Sequence, residues 1–191
     1  MEFGKDIRSN RVALLPFCLL CQAYQAEGIV RKFPAVVTPV IAFLATHDVN
    51  MLQMPCPESL YGGLGTGLGR KPRSFAQYDT PEFHEHCRCL AQEMTSTART
   101  LVSHGFEITA VLGVEFSPSC AVNLQYVGHA VRRAGIYMSC LMEQFAESEL
   151  KTSFMGVNRR GVGAAVDRLS RIVATRTEHS LELRWQRDTS L

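Results

Sequence analysis

The sequence has no run of about 18 uninterrupted apolar residues, the length that a membrane-spanning helix requires. Its start, MEFGKDIRSN, lacks the apolar core and small-residue cleavage site of a secretory signal. Charge of one sign is not in excess either: 20 Lys and Arg stand against 18 Asp and Glu, a net of +2. So small a surplus gives no ground for a nucleic-acid or anionic-membrane partner by charge alone. No internal repeat is evident and no linker divides the 191 residues, a length that fits one domain with a sizeable core. The expectation is a cytoplasmic protein without a membrane partner. Cytosolic thiols stay reduced. The seven cysteines are therefore read as ligands, reactive groups or small core residues, not as disulfides.

What is present is an alternation of strand-like and helix-like segments. Apolar runs predict strands over 11–17, 50–54, 107–114 and 152–157. Helical spacing predicts helices over 33–46, 81–104, 136–150 and 161–175. Thr80 suits an N-cap, Pro81 a first helical turn and Gly105 a stop. Residues 18–32 and the Gly-rich 57–78 read as loops. This pattern implies right-handed βαβ units and a single α/β domain over 1–175, with a mainly parallel sheet covered on both faces. Residues 176–191 read as a polar C-terminal tail.

Three of the apolar runs deliver a cysteine just past their ends: ALLPFCLLC (13–21), MLQMPCPE (51–58) and VLGVEFSPSC (111–120). Parallel strands put their carboxyl ends on one edge, where such sheets bind ligands. Cys18, Cys56 and Cys120 are thus expected to converge although they are far apart in sequence. Three thiolates there have few uses. They could hold zinc with an open position, or three corners of an iron–sulfur cluster. Any one of them could instead be core, since cysteine is among the most buried residue types. The spacings match no generic signature such as CxxC paired with CxxC.

In combination the segments CLLCQAYQAEG (18–28), CPESLYGG (56–63) and SPSC (117–120) resemble those of the thiouracil desulfurase family. With QYDTPEFHEHCRCLA (77–91), the likeness is closest to a branch of desulfurase-related desulfidases, and it spans residues 12–160. The resemblance implies a Rossmann-like three-layer fold. It implies an oxygen-sensitive 4Fe–4S cluster held by Cys18, Cys56 and Cys120, with one iron open to accept sulfur. The implied substrate is a thiolated nucleobase or nucleoside, and RNA is a possibility that the charge does not indicate. Glu58 would act as acid and base, and Ser117 and Ser119 would bond to substrate or cluster, although serine also makes turns.

The chain departs from the family pattern at two places. Ala121 follows the third cysteine where Gly is usual, and Cys21 stands where another Gly is usual. Cys21 is read as a bystander. The cluster of His84, His86, Cys87 and Cys89 reads as helix surface and core, because residues two apart on a helix diverge. Tyr61 and Tyr78 could stack on a base or simply pack. Arg70 to Arg73 are the basic residues most expected near the site. Two other functions fit the residues less closely: a non-catalytic protein whose metal or cluster carries or senses sulfur, and a cofactor-free hydrolase pairing one cysteine with His47, His104 or His129.

Overall fold

The computed structural model describes residues 6–64 and 67–188, with backbone alone for residue 64 and residues 176–188. Strand β1 (Arg11–Pro16) is apolar on both sides. Val12 and Leu14 enter one core, Ala13 and Leu15 the other. Such a strand belongs inside a sheet covered on both faces. The other strands are β2 (Asn50–Met54), β3 (Glu107–Val114), β4 (Leu124–Tyr126), β5 (Ala130–Arg132) and β6 (Ser153–Val157). The main sheet has the order β2-β1-β3-β6, and every pairing in it is parallel.

The helices are α1 (Phe17–Leu20), α2 (Thr38–Thr46), α3 (Pro57–Leu60), α4 (Phe75–Tyr78), α5 (Pro81–Ser103), α6 (Ile136–Glu147) and α7 (Val162–Asp188). Val40 and Leu44 of α2, with Leu169 and Val173 of α7, cover one face of the sheet. Phe83 and Ala91 of α5, with Tyr137 and Leu141 of α6, cover the other. The result is the expected three-layer α/β architecture with a parallel sheet at its centre. Among the described residues no helix is long and apolar enough to cross a membrane.

The expected elements stand with shifted ends. Phe17 leaves the first strand to open α1. The helix expected over 33–46 begins at Thr38, because Pro39 lacks an N–H and is tolerated only in a first turn. The Gly-rich segment contains short helical turns rather than plain loop. Helix α7 continues through most of the segment expected to be a tail, and residues 189–191 lie outside the described residues. The antiparallel ribbon β4–β5 was not anticipated. Its strands are three residues each, too short to show a period, and Gly128 turns between them at φ 90°.

Candidate functional site

Because β1, β2 and β3 are adjacent and parallel, their carboxyl ends share one edge. Cys18 lies in α1 directly beyond β1, Cys56 lies between β2 and α3, and Cys120 lies in the loop after β3. The three thiols come together. Cys18 feels the charge of Cys56, and Cys120 feels both Cys56 and Cys18. All seven cysteines of the chain are free thiols.

Each sulfur-bearing loop is braced by its own backbone bonds. The Cys18 carbonyl accepts from Gln22 Nε2 at 2.7 Å. The Cys56 carbonyl accepts from Ser59 Oγ at 3.1 Å, while His86 on α5 donates from Nε2 to the Pro57 carbonyl at 3.1 Å. The Cys120 loop is gripped from two sides. On α6, Ile136 N–H donates to Pro118 O and Met138 N–H to Ser119 O, both at 3.0 Å. On β3, Val114 N–H donates to Cys120 O at 2.9 Å. Two glycines make that approach possible: a Cβ on Gly135 would lie 2.4 Å from the Ser119 carbonyl, and one on Gly113 2.3 Å from Cys120 O. Ala121 does without positive φ, which falls on Phe116 at 67° instead.

Beside the thiols, Glu58 sits in the first turn of α3 with its side chain 14% exposed. Its Oε1 accepts from Ser119 Oγ at 2.6 Å and from Ser117 Oγ at 3.1 Å. Each hydroxyl has one proton. With both given to Glu58, neither serine has a proton for the other, 3.3 Å away, or for Cys120 Sγ, 3.6 Å from Ser119 Oγ. Ser117 Oγ meanwhile accepts from the Cys120 N–H at 3.0 Å. The second carboxylate oxygen faces Arg70 Nη2 at 3.5 Å. Arg70 is itself buried, donates to Tyr24 O at 2.6 Å and reaches Cys56 Sγ at 3.9 Å. Arg70 therefore joins the loop after β1, the second cysteine and the carboxylate. The position of Glu58 next to an arginine, and its position next to the site serines, are both realised.

Burial sets the electrostatics. Desolvation, followed by the Cys56 charge, pushes the Cys18 thiol up to about 12. Cys120 is raised well above its ordinary range, again chiefly by burial. These thiols stay protonated unless a cation stabilises the thiolates. Among the described residues no group of three or more His, Cys, Asp or Glu side chains could hold a metal ion. A single zinc needs its donors within about 2.3 Å of one point. Three thiolates bound to different corners of a cluster stand farther apart, so this donor set fits a polynuclear group better than one ion. A cleft of about 940 Å³ opens beside Cys18, lined among others by Arg31, Lys32, Phe33, Phe116, Arg159 and Arg160.

Other candidates separate from the site. Cys21 is not among the charges that shift Cys18 or Cys120. His84 bonds Asp79 at 2.8 Å, Cys87 is core and Cys89 donates to Glu85 at 3.7 Å. Tyr61 and Tyr78 pack on Phe83, with ring centroids at 5.0 and 4.6 Å. Among the described residues no histidine hydrogen-bonds Cys18, Cys56 or Cys120, and His47 stacks on Phe43 at the opposite edge. Sequence reasoning missed His86 as a prop of the Cys-Pro-Glu turn, and Arg159 as a neighbour of the site.

No family model matches the chain. A protein of Methanocaldococcus jannaschii described only as uncharacterised is 24% identical over 116 residues, 61% of this chain and 70% of that protein. Among solved structures, a 4Fe–4S-dependent thiouracil desulfidase, TudS, aligns with 76% of this chain and 90% of its own, at 20% identity and a TM-score of 0.43.

Proposed function

We propose that this chain is an iron–sulfur-dependent desulfidase, hydrolysing the C=S bond of a thiolated nucleobase or a related small thio-compound. The observation that carries the reading is the meeting of Cys18, Cys56 and Cys120 beside Glu58 on one sheet edge. The motif resemblance points the same way. In this reading Cys18, Cys56 and Cys120 hold the cluster as thiolates. When bound, a 4Fe–4S cluster with three cysteine ligands supplies one iron without a protein ligand, a Lewis acid for sulfur.

The chain's own residues handle the protons. The reaction exchanges the sulfur of C=S for the oxygen of water and releases hydrogen sulfide. Glu58 takes a proton from the attacking water and returns it to the departing sulfur. Ser117 and Ser119 hold Oε1 in place through their two hydrogen bonds, and Arg70 holds the other oxygen. A carrier or sensor of sulfide would have no use for a carboxylate so placed. A fully thiolate-capped cluster would need Cys21, which the other thiols do not feel.

The test is anaerobic purification with iron and sulfide analysis, followed by incubation with 2-thiouracil and 4-thiouridine. The expected result is bound iron with acid-labile sulfide and release of sulfide from at least one substrate. Cys18→Ser, Cys56→Ser and Cys120→Ser should each lose iron and activity together, whereas Cys21→Ser keeps both. Loss of activity in only one of the three, with no iron in any of them, would replace the cluster by a single nucleophile.

A further inference from the structure

The cleft beside the thiols has an imbalance of charge. Arg31, Lys32, Arg159 and Arg160 line it, and Glu115 is the acid among its lining residues. Glu115 is committed elsewhere. Its carboxylate accepts from Asn123 N and Nδ2 at 3.2 and 3.0 Å and from Leu124 N at 2.8 Å. It also packs so closely on Gly156 that a Cβ there would lie 1.6 Å from Oε1. Glu115 thus braces the β4–β5 ribbon and offers nothing to the cleft.

Of the four cations, Arg159 stands apart. Arg31, Lys32 and Arg160 are exposed, but Arg159 is half-buried at the carboxyl end of β6. Among the described residues it makes no hydrogen bond or ion pair, and the charges it feels are those of Cys18 and Glu58. A guanidinium carries five donors, and removing it from water without filling them is unfavourable. Arg70, the other arginine of the site, is already engaged with Tyr24, Cys56 and Glu58.

Building on the desulfidase reading, we infer that Arg159 is a substrate-binding residue: its guanidinium donates to an electron-rich edge of the thiolated ring and turns the C=S carbon toward Glu58. The recognised group is an exocyclic carbonyl oxygen, or a ring nitrogen that has lost its proton. A planar fork can span two adjacent acceptors, which a point-charge ammonium cannot. Phe33 and Phe116 give the same cleft apolar wall for the ring face.

The experiment compares Arg159→Gln, Arg159→Lys and the exposed-site control Arg168→Gln on α7, all iron-loaded without oxygen and matched for iron content. Calorimetry measures binding of uracil, the oxygen counterpart of thiouracil, and kinetics measure turnover of 2-thiouracil. In Arg159→Gln the uracil dissociation constant and KM should each rise by about tenfold or more, with kcat changing less than KM. Arg159→Lys should recover part of the loss, and Arg168→Gln should match the unmodified protein. Equal uracil affinity in Arg159→Gln and Arg168→Gln, or no uracil binding by the unmodified protein, overturns the inference. Weakened uracil binding in Arg159→Gln without any sulfide release by the unmodified protein supports the inference and overturns the desulfidase reading.

Discussion

A single carboxylate oxygen receives two hydroxyls at this site, and that convergence sets what each side chain can do. Glu58 Oε1 has Ser119 Oγ at 2.6 Å and Ser117 Oγ at 3.1 Å, so both serines serve the carboxylate first. Glu58→Gln keeps the volume and removes the proton acceptor. Desulfidation by the iron-loaded variant should fall by about 10²–10⁴ in kcat, with iron content unchanged. Ser119→Ala removes the shorter of the two bonds and should lower kcat by about tenfold. Retained kcat in Glu58→Gln would end the acid–base role. The three cysteines and Glu58 were legible because each belongs to a short segment with a turn residue beside it. Arg159 was not legible: Arg159 and Arg160 look alike in sequence, and only the fold buries one and exposes the other. Arg70 was visible only as a basic residue after a glycine run, without the carboxylate that it faces.

At the scale of elements, the third cysteine depends on how closely α6 and β3 approach its loop. Gly135 is the limiting contact, since a Cβ there meets Ser119 backbone, which cannot swing aside, at 2.4 Å. Gly135→Ala should destabilise the protein by about 1–3 kcal/mol, a fall in Tm of a few degrees for a chain of this size, and should lower iron retention with it. Gly163, near the start of α7, has nothing within 4 Å of a built Cβ. Gly163→Ala should be neutral or stabilise by about 0.5 kcal/mol through helix propensity. Equal melting of the two variants would refute the packing argument. The central strands were legible because their two-sided apolar runs are the signature of covered parallel strands. The β4–β5 ribbon was not, for its six residues mix Tyr, Gln, Arg and Ala. What orders it is the Glu115 carboxylate bonding Asn123 and Leu124, a tertiary contact that no local pattern contains.

Over the whole molecule, the acids of one core face share a direction of shift. Burial raises Cys87 well above its ordinary 9.0 and pushes Tyr78 from 10.0 up to about 12. Both lie in the layer between the sheet and α5, and without metal the buried thiols of Cys18 and Cys120 shift the same way. Each group is neutral when protonated. Above the ordinary value the unfolded chain has released a proton that the folded chain still holds, so rising pH favours unfolding. The stability linked to these groups is whole below about pH 9 and declines from there toward the folded values near 12. Denaturant midpoints of the iron-free protein should therefore be flat from pH 7 to 8.5 and should fall progressively between pH 9 and 11. Cys87→Ala deletes one such thiol and should flatten that decline, even though the emptied space lowers the midpoint at every pH. Cys89→Ala, on the exposed side of the same helix, should leave the slope as it was. A midpoint that does not fall over the alkaline range, or a slope untouched by Cys87→Ala, would mean that these groups ionise in the folded chain as readily as in water, which a packed core around Phe83 and Tyr137 does not permit.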